Sequence, residues 1–201
     1  MENKFLKINN PKVMNVPIKD NGEPLVDLLN YLEIMVDKTQ KYIWEREESF
    51  SMVREGVAKK LLQAQEYLPK GIKFKIVEGY RSPKIQQEIF KWQKKEFKKQ
   101  NPEWSEDKLQ IETSKFIAPP ENIPPHSTGG AIDITLVDEI GNELDMGTLI
   151  NGGYNGACFT NAENISEIAR KNRNILILAL GKVGFVNYPA EWWHWSYGDR
   201  Y

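Results

Sequence analysis

The sequence predicts an α+β fold in one domain, with helices packed against a small sheet, and three observations carry that expectation. Apolar residues recur at steps of four and three through 50–68, and the strictly alternating Ile72-Lys73-Phe74-Lys75-Ile76 follows at once. Two further long helical patterns, at 83–100 and 166–182, are interleaved with short stretches of strand character. A chain of 201 residues can bury one sizeable core but has little room for two, so 1–201 is read as a single domain.

Taken in order, residues 1–50 are the least regular part. The runs Pro24-Leu25-Val26-Asp27-Leu28-Leu29 and Leu32-Glu33-Ile34-Met35-Val36 are too short for period to divide helix from strand, and they are read as extended or mixed. From Phe50, the residues Val53, Val57, Leu61, Ala64 and Leu68 mark one face of an amphipathic helix, which Pro69-Lys70-Gly71 ends. The strand after it runs out at Glu78-Gly79-Tyr80-Arg81. Ser82-Pro83 then reads as an N-cap followed by proline at the first helical position, which leaves Arg81 at a strand-to-helix junction facing a cleft. The helix over 83–100 turns Ile85, Ile89, Phe90, Trp92 and Phe97 inward and a row of lysines outward. Asn101-Pro102 breaks it, and Ser105 caps another helix that ends near Phe116. Four prolines in 118–125 make a stiff loop up to His126. After Gly129-Gly130, the stretch 131–136 reads as a strand with Ile132, Ile134 and Leu136 on the core face and Asp133 on the other. A glycine-rich loop at 151–156 lies beside the site, 166–182 is helical by its length, and 184–188 and 192–197 are strands about a Pro189-Ala190 turn.

Composition narrows the partners. Lys and Arg number 27 against 28 Asp and Glu, so no broad field draws the chain to nucleic acid or to an anionic membrane. Glu88 precedes and Glu96 interrupts the lysines of 91–99, which suits a solvated helix face. The single cysteine, Cys158, cannot close an internal disulfide and reads as a small, semi-buried residue. No apolar run has the length of a signal peptide or a membrane span. The expected setting is therefore cytoplasmic, or periplasmic if a leader has been removed, and the near-neutral charge leaves a small partner as the expectation.

The chemistry concentrates in two stretches. The chain has two histidines, His126 seven residues before Asp133 and His194 three residues after Glu191. Neutral imidazoles and a carboxylate suit one zinc ion, with His126, Asp133 and His194 as ligands and the fourth tetrahedral position open. Paired glycines let the backbone fold back so that His126 and Asp133 meet. In a strand Glu191 and His194 would face opposite ways, so Glu191 reaches the same site only from a bend before the strand, which Pro189 favours. Off the metal, Glu191 is the natural general base, and the permanently charged Arg81 suits a developing oxyanion. Singly, each of these residues also has a structural reading as a hydrogen-bonded or ion-paired group; jointly they point to a metal site.

His126-Ser127-Thr128-Gly129-Gly130-Ala131-Ile132-Asp133, taken with Glu191-Trp192-Trp193-His194, resembles the HxxGxAxD and ExWH motifs of zinc D,D-peptidases of the D-alanyl-D-alanine dipeptidase family. The resemblance extends over roughly 50–201, through Glu78-Gly79-Tyr80-Arg81, Leu144-Asp145-Met146-Gly147-Thr148, Asn172-Arg173 and Gly184-Phe185. It implies an α+β fold with helices around a small antiparallel sheet and a zinc cleft, the Hedgehog-like fold. It also implies one zinc held by His126, Asp133 and His194, Glu191 as base, Arg81 assisting the transition state, and a D-alanyl-D-alanine-like substrate. Two positions depart from the family pattern: Pro124 stands where many members have serine, and Asn151 where relatives often carry an aspartate of the substrate pocket. The competing expectations are a carboxypeptidase or endopeptidase on peptidoglycan stem peptides, and a non-catalytic zinc-binding module.

Overall fold

The computed structural model describes residues 5–39, 48–151 and 156–200. A one-turn helix α1 (Pro11–Met14), capped by Asn10, precedes strand β1 (Leu25–Asp27) and the two-residue strand β2 (Met35–Val36). Strand β3 (Met52–Arg54) leads without a loop into α2 (Glu55–Gln65). Strand β4 (Lys73–Glu78) is followed by α3 (Pro83–Gln100), with Ser82 as its cap and proline at its start as the sequence predicts, and then by α4 (Glu106–Thr113), capped by Ser105. A second one-turn helix, α5 (Pro125–Thr128), delivers the chain to β5 (Ala131–Val137), which is buried along its whole length. The long helix α6 (Glu167–Lys182), capped by Ser166, and the strands β6 (Val186–Asn187) and β7 (His194–Ser196) complete the fold.

The main sheet has the order β2-β4-β5-β7-β6 and is antiparallel except at one edge, where β2 pairs with β4 in parallel. A separate antiparallel pair joins β1 and β3. That pairing corrects the expected helix over 50–68. Val53 is buried as a strand residue opposite Val26, and the helix begins only at Glu55, because a partner far away in the chain wins over local period.

The two faces of the main sheet differ in kind. Phe74 opposes Leu136, Ile76 opposes Ile134, and Ile132 opposes Trp195, so these side chains share one face and belong to the central core with Leu61 of α2 and Leu176 and Leu180 of α6. The opposite face carries Asp133 and His194. One side chain of α6 behaves unlike its neighbours: Arg173 is fully buried, and its guanidinium donates to the carbonyls of Met146, Ala157 and Phe159 at 2.6–2.8 Å while lying over the Trp192 ring. Burial pulls Arg173 down to about 10, so it stays charged at neutral pH with backbone dipoles as its counter-charge. Cys158 is buried beside this cluster, in keeping with its structural reading. Among the described residues no helix is long and apolar enough to cross a membrane.

Candidate metal centre

Three adjacent strands place three acidic or imidazole side chains in a row. Asp133 of β5 lies opposite His194 of β7 on one side and opposite Glu78 of β4 on the other. The second pairing depends on a slip. Register runs regularly to Ile76–Ile134 and then shifts, so Glu78 rather than Val77 comes to face Asp133.

His126 arrives from outside the sheet on α5, and the turn is tied at several points. The Arg81 N–H donates to the His126 carbonyl and Ser127 Oγ donates to the Arg81 carbonyl, while Arg54 donates through Nε to Thr128 O and through its backbone N–H to Gly129 O. Gly129 closes α5 at φ 73°, in the left-handed region, where an added Cβ would lie 2.6 Å from Leu25 Cδ2. His126 Nδ1 sits 2.8 Å from the Gly79 carbonyl; as the donor there, it leaves the lone pair of Nε2 facing Asp133 and His194.

The parity problem at Glu191 is solved as the sequence predicts. Pro189 to Trp193 form the bend before β7, and the Asn187 side-chain amide donates to both the Glu191 and the His194 carbonyls, at 3.1 and 2.9 Å. The three imidazole and carboxylate atoms converge. His126 Nε2, His194 Nδ1 and Asp133 Oδ1 are 3.2, 3.1 and 3.4 Å apart pairwise, and all three residues are buried. Ligands at about 2.0–2.1 Å from a tetrahedral zinc are separated by about 3.3 Å, so the triangle fits such an ion. The donor set fits it too. Two imidazole nitrogens and a carboxylate oxygen turned on one point are the ligand types that zinc takes, and a single cation accepts all three lone pairs.

Electrostatics around the triangle follow from burial and charge. Burial raises Asp133, but the charge of His126 and the hydrogen bonds from both imidazoles hold its carboxyl far below the usual range. Burial lowers His126, and Asp133 outweighs it, so the imidazole is held above its ordinary value. Glu191 differs: burial pushes it up to about 7, His194 and Arg81 oppose the rise, and Asp133 adds to it. A carboxyl poised there can take and return a proton at neutral pH.

Arg81, Glu191 and the triangle line one cavity of about 510 Å³. Arg81 is not free within it. Its Nε donates to Glu78 Oε1 at 2.8 Å, its terminal nitrogen NH2 pairs with Glu78 Oε2, and its other terminal nitrogen, NH1, donates to Gln86 Oε1 at 3.0 Å. The guanidinium beside Glu78 offsets burial and keeps that carboxyl below its usual range. Glu78 and Gln86 are therefore residues that sequence reasoning passed over as elements of the site. A glutamate closing an apolar strand three residues before an arginine was the available signal, but their pairing needs the register slip. Asn151 and Pro124 both line the cavity. Residues 152–155 of the glycine-rich loop lie outside the described residues.

The sequence model of the family described as D-ala-D-ala dipeptidase matches residues 35–201. The chain is 29% identical to a D-alanyl-D-alanine dipeptidase from Synechocystis sp. (strain ATCC 27184 / PCC 6803 / Kazusa), over 92% of this chain and 86% of that one. It is 39% identical to the D-alanyl-D-alanine dipeptidase of Escherichia coli (strain K12), over 35% of this chain and 36% of that one. In fold it is similar to a solved structure of the LdcB LD-carboxypeptidase, with a TM-score of 0.50, 20% identity, and coverage of 90% of this chain and 72% of that one.

Proposed function

Because the chain belongs to the D-ala-D-ala dipeptidase family of metallopeptidases, we propose that it hydrolyses D-alanyl-D-alanine or a similar dipeptide with one zinc ion per chain held by His126, Asp133 and His194. The observation that carries this reading is the triangle of ligand atoms at 3.1–3.4 Å, with the carboxyl of Glu191 poised near neutrality in the same cavity. Zinc held there would supply Lewis acidity, polarising the scissile carbonyl and acidifying water.

The chain's own residues supply the rest. Glu191 accepts a proton from the attacking water and passes it to the leaving amine as the peptide C–N bond breaks. Arg81 carries positive charge to the carbonyl oxygen, where negative charge develops, and Glu78 and Gln86 hold the guanidinium in place so that little reorganisation accompanies the reaction. Trp192, Trp193 and Trp195 are buried in the core near His194 in sequence, and the low-polarity surroundings they provide strengthen these interactions.

The test is release of free D-alanine from D-alanyl-D-alanine by zinc-loaded protein, beside an N-acetylated copy, with Glu191→Ala as blank. Cleavage of the free dipeptide, lost in the blank while zinc is retained, is the expected result. A second reading, a D,D- or L,D-carboxypeptidase or endopeptidase acting on peptidoglycan stem peptides, is favoured by Asn151 in the cavity wall. A neutral amide offers no full charge to a free ammonium, and cleavage of the blocked peptide alone would establish that reading. No cleavage of either by zinc-loaded protein would overturn both in favour of a non-catalytic zinc module.

A further inference from the structure

The cavity is chemically two-ended. One end is the polar site already described. From there it continues along α3, where Gln86, Ile89 and Gln93 recur at steps of three and four and so present one helix face to it. Seven residues at 1.5 Å each carry that face about 10 Å from Gln86 to Gln93. Trp92 joins it from the same turn, and Phe116, Ile117 and Ala118 form part of the cavity's lining too. The two walls are fastened at the polar end, where Gln86 Nε2 donates to the Ala118 carbonyl at 2.7 Å.

This arm poses a question of fit. D-alanyl-D-alanine has two methyl side chains, neither of which reaches beyond the first turn of such a wall. A continuing peptide backbone would fill the length, but along the arm only Gln93, Lys115 and the Trp92 indole N–H could pair with its N–H and C=O groups, while Ile89, Phe116 and Ile117 would leave the rest unpaired. A hydrocarbon side chain meets no such penalty and buries apolar surface on both partners. We infer that the arm is a specificity subsite for one large aliphatic or aromatic side chain, so that the preferred substrate is a dipeptide bulkier at one of its two residues than D-alanyl-D-alanine. The inference rests on the dipeptide-hydrolase reading above and names the substrate class it serves.

The experiment compares kcat/KM of zinc-loaded protein for D-alanyl-D-alanine, D-phenylalanyl-D-alanine, D-leucyl-D-alanine, D-alanyl-D-phenylalanine and D-alanyl-D-leucine. One bulky position is expected to exceed the alanine dipeptide by at least about tenfold, since even a single methylene in an apolar pocket is worth about that much. Trp92→Ala should lower the ratio of bulky to alanine substrate, and Ile117→Trp, which fills the arm rather than emptying it, should lower it further. Turnover of D-alanyl-D-alanine with no bulky dipeptide preferred, or both variants depressing every substrate equally, would overturn the subsite while leaving the hydrolase reading intact. If no dipeptide is hydrolysed the hydrolase reading fails, and calorimetric binding of the same dipeptides to the Glu191→Ala protein decides the subsite alone: tighter binding of a bulky dipeptide supports it, and equal or absent binding overturns it.

Discussion

The two candidate histidine ligands reach the same point by opposite means. His194 is a strand residue: once β7 pairs with β5, its position opposite Asp133 follows from register, and slipping it would turn Trp195 out of the core. His126 sits on a one-turn helix with no sheet to hold it, and its place depends on Gly129, on Arg54 and on the backbone of Arg81. The comparison teaches that one ligand is fixed by the fold and the other by local ties. The site should therefore be weakened more readily from the His126 side without touching a ligand.

Removing either imidazole tests the ligand set and should have the largest effect. His126→Ala and His194→Ala are each expected to weaken zinc binding by more than about 100-fold, beyond what loss of an outer partner produces, measured by metal analysis and chelator competition. Unchanged stoichiometry would remove that residue from the set. Gly129→Ala separates the two arms. Its positive φ and the close approach of Leu25 should cost about 1–3 kcal/mol in the metal-free protein and weaken zinc by roughly 10–100-fold, as loss of outer support does; equal zinc affinity in the variant would show that the α5 turn needs no such tie.

A pH titration examines the His194 side, which carries Glu191. Its carboxyl is raised from the ordinary value to about 7 in the folded chain, so the folded state binds this proton more tightly than the unfolded one. That contribution is complete below about pH 4.5 and is lost as pH rises to about 7. Metal-free protein should lose on the order of 2 kcal/mol across this window, after discounting for the residual solvent contact of a partly buried group. Glu191→Gln should flatten the loss, and denaturant titrations at successive pH values measure it. His126, also held above its ordinary value, adds a loss in the same direction above pH 6.5, which Glu191→Gln leaves in place. Smallest of all is Ser196→Ala on β7. Its buried hydroxyl has no hydrogen-bond partner among the described residues, so stability and zinc affinity should stay within about 0.5 kcal/mol of wild type, by thermal melting and competition.

Much of this was legible in the chain because its signals are local. Ser82-Pro83 marks a helix start through its own cap and fixed φ, the alternation at 72–76 announces a half-buried strand, and the glycine pair before Ala131 announces a return of the backbone. The bend that brings Glu191 beside His194 was readable from Pro189. What escaped was set by distant partners. Val53 fits a helical period as well as a strand, and only pairing with Val26 decides between them. Glu78 becomes part of the site through a one-residue slip against β5, which no pattern in 72–78 encodes. The arm along α3 was equally hidden: Ile89 and Trp92 read as inward-facing residues, and whether inward meant core or cavity depended on where 115–118 came to lie.

Arg173 has a consequence for engineering. A single buried guanidinium holds the carbonyls of Met146, Ala157 and Phe159 and lies against Trp192, next in sequence to Glu191. Between these anchors Thr148 accepts from the Trp192 indole and Ile150 packs on the core, so the backbone there is held from within as well. Exchanging Asn151 alone therefore offers a way to vary the cavity wall while the helix, the sheet and the three converging candidate ligand atoms stay where they are.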